Sequence, residues 1–273
     1  MLTAILFDLD GTLVNTDPLH YRVWKEVLED YGLEIDQTFY DRRISGGLNP
    51  LVIKDILPHL SESENYHLAE YKEARFRELA SELKPVAGLE RILAWTEECN
   101  LKRALVTNAP PKNVELMLSV LGLTEAFNPV VVAENVGVSK PDPALYRMAL
   151  NLLGIAPEQG LVFEDSPAGI RSAVGAGILT IGIASTHNPL ALLEAGAFNV
   201  VPDFTDQLVW SLLRGADVTE AEPLQSRSPG LPPGNELGRL RLRYLIIDKR
   251  IVIPIADWSI TNLMIDVIGS GIG

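Results

Sequence analysis

Two aspartates, Asp8 and Asp10, follow the short apolar run Ala4 to Phe7 and lead into Gly11-Thr12. If that run is a strand, side chains at i and i+2 project the same way, and two carboxylates so close repel unless a cation or a proton intervenes. A hard divalent cation meets that need. Oxygen donors of this kind suit Mg²⁺, which binds through one or two carboxylates plus a substrate phosphate and keeps several waters. Gly11 lets the backbone turn closely around such a ligand. A second acidic pair, Glu164-Asp165, ends another apolar run, so four carboxylates can gather around one ion. Thr107-Asn108 adds a hydroxyl and an amide that can donate to phosphate oxygens, and Lys140, in Ser139-Lys-Pro-Asp-Pro143, adds a positive charge. Metal-binding acids and anion donors therefore converge. The same residue types also have purely structural uses. An isolated Asp-X-Asp is common on solvated loops, Glu164 and Asp165 can cap the helix that follows them, and Asp142 is expected to do so as an acid just before a helix start.

Bringing these groups together requires a particular scaffold. Short apolar runs recur at Ala4 to Phe7, Arg103 to Thr107, Pro129 to Ala133, Leu161 to Phe163 and Leu179 to Ala184, the pattern of strands buried on both faces. Helical patterns lie between them at Glu90 to Glu98, Asn113 to Leu121, Ala144 to Leu153 and Ala168 to Ala176. Alternation of this kind predicts an α/β, Rossmann-like open parallel sheet whose right-handed crossovers place the loops after the strands on one rim. One interval breaks the alternation. Residues 18–84 show only helix-like patterns, around Leu19 to Tyr31, Leu51 to Leu57 and Glu64 to Leu83, with breakers at Gly46-Gly47 and Asn49-Pro50. They are expected to form an inserted all-helical cap on a core of residues 1–17 and 85–213, with Lys84 to Gly88 as the hinge of the second crossing.

Composition narrows the partners. The 273 residues are 47% hydrophobic and 22% charged, as in ordinary globular chains, and the net charge of −13 repels nucleic-acid backbones and anionic membrane surfaces. A single cysteine, Cys99, read as a small buried hydrophobe, fits a reducing, cytoplasmic setting. The first residues lack the basic start and cleavage site of a signal peptide, and glycines, Asn188 and Pro189 interrupt the charge-free run from Ser172 to Leu193. No nucleic acid, no membrane and a monomeric state are the expectations. Residues 214–273 read as a separate C-terminal extension, with a Ser/Pro/Gly-rich linker, Arg239, Arg241 and Arg243, and then apolar runs. Trp24, Met117 and Met148 are expected to be packing residues, and His59, His67 and His187 show no metal-ligand spacing.

The order Asp8-Leu-Asp10-Gly-Thr-Leu13, Val106-Thr107-Asn108, Lys140-Pro-Asp-Pro143 and Phe163-Glu164-Asp165-Ser-Pro-Ala-Gly169 resembles the four motifs of the haloacid dehalogenase superfamily. The position of the insert is similar to the helical cap of its β-phosphoglucomutase and phosphoglycolate phosphatase-like branch. The resemblance implies that Asp8 is the nucleophile that takes the phosphoryl group and Asp10 the general acid and base. It implies Mg²⁺ held by Asp8, the Asp10 carbonyl and Asp165, with Glu164 as a further direct or water-mediated ligand, and phosphate held by Thr107, Asn108 and Lys140. In the cap it points to His20, Arg43 and Asn49 as candidate contacts to a small phosphorylated metabolite. Asp10 favours phosphoryl transfer, since the chloride-releasing members typically lack it. Asn49 stands where mutase relatives carry a basic residue, which favours a phosphatase of a sugar phosphate or phosphoglycolate over a phosphosugar mutase. A non-catalytic phosphate-binding protein is the reading from another class, and the intact Asp8, Asp10, Thr107, Lys140 and Asp165 speak against it.

Overall fold

A computed structural model describes residues 2–214, 245–247 and 250–252 of the chain. Strands β1 (Ala4–Phe7), β2 (Lys102–Thr107), β3 (Val130–Val132), β4 (Gly160–Glu164), β5 (Leu179–Ile183) and β6 (Asn199–Val201) form one parallel sheet in the order β3-β2-β1-β4-β5-β6. The order reverses between β1 and β4. That reversal is the topological switch point, where open parallel sheets leave a crevice beyond the carboxyl ends of their strands.

Four helices, α1 (Asp17–Glu29), α2 (Gln37–Arg43), α3 (Asn49–Ile56) and α4 (Glu62–Leu79), intervene between β1 and β2. They are followed by α5 (Leu89–Glu98), α6 (Pro111–Val120), α7 (Ala133–Val136), α8 (Ala144–Leu153), α9 (Pro167–Gly175), α10 (Pro189–Glu194) and α11 (Gln207–Arg214). Prolines in the first turn start α1, α3, α6, α9 and α10, where a missing N–H costs nothing. Ser61 and Glu64 close a reciprocal capping box on α4, and the Ser166 hydroxyl accepts from the Gly169 amide at the start of α9. Segments β7 (Leu245–Ile247) and β8 (Arg250–Val252) pair antiparallel; the rest of the sequence-defined C-terminal extension, including Arg239, Arg241 and Arg243, lies outside the described residues.

The central strands β1 and β4 are buried along their whole length on both faces, as their apolar runs require. Ala4, Leu6, Ala104, Val106 and Val162 pack on one side with Leu145, Tyr146 and Ala149 of α8. On the other side Phe7 stacks on Phe163, with Phe204 and Phe127 edge-on. The two chain crossings between the sheet and the helical insert run side by side, with the Val86 amide donating to the Leu13 carbonyl at 2.9 Å and the Asn15 amide to the Lys84 carbonyl at 3.3 Å.

Several expectations need correction. Helix α2 and strand β6 escape the sequence patterns because Tyr40 is the one buried side chain of α2 and β6 is three residues opening on Asn199. Met148 is 40% exposed on the outer face of α8 instead of packed, whereas Trp24 and Met117 are buried. Cys99 is only half-buried, at the C-terminal end of α5. No described helix is long and apolar enough to cross a membrane.

Candidate functional site

The rim beyond β1 and β4 gathers the acids. Asp8 follows β1, Glu164 ends β4, and Asp165 follows it; one carboxylate oxygen from each lies within 4.8 Å of the others, and all three residues are buried. Lys140, from the loop before α8, enters between them. Its ammonium donates to Asp8 Oδ1 at 2.5 Å, to Glu164 Oε1 at 2.6 Å and to the Val106 carbonyl at 2.8 Å. Two glycines permit this density. At Gly11, with φ of +75°, a Cβ would collide with the Asp165 carboxylate, and at Gly169 a Cβ would collide with that of Glu164.

Burial pushes Asp8 up to about 8, with Glu164 and Asp10 adding to the rise and Lys140 opposing it. Asp165 is driven well above the usual carboxylate range, again by burial first and then by Asp8 and Glu164. Two clustered carboxylates that resist ionisation are a donor set suited to a hard dication, whose charge reverses the balance. The residues present therefore fit Mg²⁺. Glu164 is more fully engaged than its neighbours. Its Oε1 takes Lys140 and the Tyr146 hydroxyl, the latter at 3.1 Å, while its Oε2 accepts from the Asp165 and Ser166 amides and the Ser166 hydroxyl. Asp165 is oriented by a hydrogen bond from the Thr186 hydroxyl.

Around this cluster a cavity of about 370 Å³ opens toward the helical insert. Asp8, Asp10, Thr107, Asn108, Lys140 and Asp165 line it, and so do His20 and Asn49. Asn108 Oδ1 accepts from the Lys140 amide at 3.0 Å, which ties the loop after β2 to the loop before α8, and the Thr107 hydroxyl accepts from the Ala109 amide at 3.0 Å within its own loop. His20 Nε2 stands 3.6 Å from Asp10 Oδ1. Arg43 is not brought to the site; it pairs with Asp55 on the surface and lies over the Phe39 ring. Asp142 accepts from the Ala144 amide at 2.8 Å, the structural use expected of it.

Sequence reasoning overlooked a second buried cluster on the insert side. Lys72 and Glu73 of α4 are 2% and 6% exposed and pair at 2.8 Å. The Lys72 ammonium also meets His20 Nδ1 at 2.8 Å, and the His20 ring stacks on Phe76. Because an ammonium only donates, His20 Nδ1 accepts and the ring proton lies on Nε2, facing Asp10. Glu73 accepts from Asn49 of α3 and Asn113 of α6, each at 2.5 Å. Although burial alone would raise it, the charge of Lys72 and the hydrogen bonds from Lys72 and Asn49 hold Glu73 down to about 2. The signal was present in the pattern: the buried stripe of α4 reads Leu68, Ala69, Lys72, Glu73, Phe76, so two charges occupy core positions.

Comparison with known proteins agrees with this architecture. A family model described as haloacid dehalogenase-like hydrolase matches residues 5–183. The chain is 35% identical over 211 residues to the phosphorylated carbohydrates phosphatase of Thermotoga maritima, covering 73% of this chain and 94% of that protein. It is 27% identical over 191 residues to the β-phosphoglucomutase of Bacillus subtilis, covering 67% and 83% respectively. Among solved structures, a haloacid dehalogenase family IA, variant 3 hydrolase from Entamoeba histolytica matches with a TM-score of 0.69 and 29% identity, over 75% of this chain and 94% of that one. With its switch-point acids, its buried lysine and a helical insert facing them, the chain belongs to the haloacid dehalogenase-like hydrolase family.

Proposed function

We propose that this protein is a phosphatase of a small phosphorylated metabolite, working through an aspartyl-phosphate on Asp8. The observation that carries the reading is the convergence at one switch point of Asp8, Lys140, Glu164 and Asp165, with Thr107, Asn108 and Asp10 lining the same cavity. Asp8 attacks phosphorus, and the bond to the substrate oxygen breaks as the Asp8–phosphoryl bond forms. Asp10 gives its proton to the leaving oxygen and later takes one from the water that attacks the phosphoryl-aspartate, restoring Asp8 and releasing inorganic phosphate. Lys140, Thr107 and Asn108 present positive charge and donors to the phosphoryl oxygens where charge accumulates. His20, with its proton directed at Asp10, orients that carboxyl.

Asp8, Asp165 and the Asp10 carbonyl would hold Mg²⁺, and because both Glu164 oxygens are engaged, Glu164 supports the ion from outside its direct ligands. When bound, the ion neutralises the clustered carboxylates and the charge on the transferring group. Residues 18–84 act as the cap that closes the cavity and keeps bulk water from the intermediate until the leaving group departs.

The test is phosphate release from a panel of sugar phosphates with and without Mg²⁺, for the natural chain and for Asp8→Asn. Metal-dependent release that Asp8→Asn abolishes is expected. Isomerisation of β-glucose 1-phosphate without release would instead make it a mutase, and silence on every compound would return it to a binding role.

A further inference from the structure

Phosphoryl transfer accounts for one end of the cavity; the other end has its own electrostatics. Among the described residues, the lysines and arginines lining the cavity are Lys140 and Lys72, and each is buried and already ion-paired. The phosphoryl group of a substrate claims Lys140. The rest of the lining includes Asp17, Glu70 and Glu73, together with neutral donors and acceptors such as Ser45, Asn49 and Asn113. Lys72 is the one lysine or arginine of the insert that lines the cavity, and Glu73 holds it at 2.8 Å. Glu73 cannot swing aside freely, because Asn49 of α3 and Asn113 of α6 each donate to it, one to each oxygen.

We propose that Glu73 is a specificity-determining residue: by masking Lys72 it fits the cavity to phosphomonoesters whose remainder is uncharged and hydroxylated, and sets it against those carrying a second anionic group. This inference rests on the phosphatase reading and narrows it. A hydroxyl can donate to a carboxylate or accept from an amide, so it finds partners on every side of such a wall. A carboxylate or second phosphate entering there must either remain unpaired among acids or break the Lys72–Glu73 pair and both asparagine contacts, and desolvated charges left without a partner are costly. Discrimination here comes from repulsion built into the wall and not from an added attraction to the preferred substrate.

The experiment uses pairs of esters that differ only by a hydroxymethyl group or a carboxylate: sorbitol 6-phosphate against 6-phosphogluconate, and 2-hydroxyethyl phosphate against phosphoglycolate. Phosphate release is measured with Mg²⁺, and p-nitrophenyl phosphate serves as a general probe of phosphatase chemistry. The natural chain is expected to favour the uncharged member by about tenfold or more in kcat/KM, through KM more than kcat. Glu73→Gln unmasks Lys72 and is expected to bring the ratio to within about threefold, whereas Glu73→Asp keeps most of the preference. Glu70→Lys, at an exposed position lining the same cavity, tests the same idea without disturbing a buried pair and is expected to narrow the ratio too. Equal kinetics on both members in the natural chain would overturn the proposal. So would an unchanged preference in folded Glu73→Gln and Glu70→Lys. Absence of release from all five esters would be a different result, because it removes the phosphatase reading itself and the specificity with it.

Discussion

Two buried lysines line one cavity, one from a sheet-side loop and one from the helical insert, and their surroundings push them in opposite directions. Lys140, on the sheet side, touches two carboxylates and a carbonyl; burial opposes its charge, yet Asp8 and Glu164 overcome that and raise it above the ordinary lysine range. Lys72, on the insert side, touches one carboxylate and an imidazole nitrogen, and there burial prevails and lowers it despite Glu73. Desolvation is similar in the two places; the number of carboxylates in contact decides the sign. Lys140 is therefore a cation held between two carboxylates, while Lys72 is a cation with a single carboxylate partner.

The sharpest way to break this comparison is to remove each lysine. Lys140→Met strands Asp8 and Glu164, and losing one side of a buried ion pair costs about 3–5 kcal/mol. With Lys140 facing the transferring group as proposed, its loss should lower kcat by about 10³-fold as well. Lys72→Met leaves Glu73 with Asn49 and Asn113, so denaturant unfolding should show the smaller loss of about 1–3 kcal/mol. Equal losses would mean that contact with a second carboxylate contributes nothing.

Next in size is the acid limb of Glu73. Its folded pKa of about 2 lies below the ordinary 4.5, so the stability it contributes is complete above about 4.5 and lost as pH falls from there toward 2. The gap between the natural chain and Glu73→Gln should be roughly 3 kcal/mol at neutral pH and close towards zero near pH 2. A gap independent of pH would show that Glu73 acts through packing alone.

Asp8 has the opposite sign. Its folded pKa of about 8 lies above the ordinary 3.8, so between those values the folded protein keeps a proton that the unfolded chain releases. Without metal, stability should fall across that window by on the order of 1 kcal/mol per pH unit. Lys140 is protonated in both states there and adds no slope. With Asp8 a ligand of Mg²⁺ as proposed, the ion competes with the proton, so the rise in melting temperature on replacing EDTA with Mg²⁺ should grow from pH 5 to pH 8. A metal-induced rise of constant size would dissociate the Asp8 carboxylate from the metal.

The sheet side was legible because its chemistry sits where pattern and topology coincide. Asp8-X-Asp10 and Glu164-Asp165 each end an apolar run, and parallel strands bring such ends to one rim whatever lies between them. The insert side was not, because Lys72 and Glu73 look like the solvated face of a polar helix until Leu68, Ala69 and Phe76 are seen to share their stripe. Thr186 falls between these cases: it follows the strand read at Leu179 to Ala184, on the predicted rim, but a lone threonine carries no spacing that marks it as a partner of Asp165. Helix-surface arginines are the hardest, since sequence places them on a helix without saying which way they face.

Arg43 is the smallest test and the most direct check on that last point. It closes α2, and its guanidinium donates twice to a single Asp55 oxygen, from Nε at 2.9 Å and from Nη2 at 2.6 Å, with both side chains substantially exposed. Water screens such a pair, so exposed ion pairs contribute only about 0.2–1 kcal/mol. Arg43→Ala should therefore shift the denaturation midpoint slightly and leave kcat/KM within about twofold, in line with a surface substitution remote from bound substrate. Helix α2 nonetheless borders the cavity through Tyr40, whose hydroxyl donates to Asp17 at 2.7 Å, so a reoriented Arg43 has a short path to the substrate. A rise of tenfold or more in KM for every ester, with stability unchanged, would mean that the guanidinium leaves Asp55 to bind substrate. The insert would then supply a free cation after all, and the contrast between its single masked lysine and the fixed lysine of the sheet would no longer describe the working enzyme.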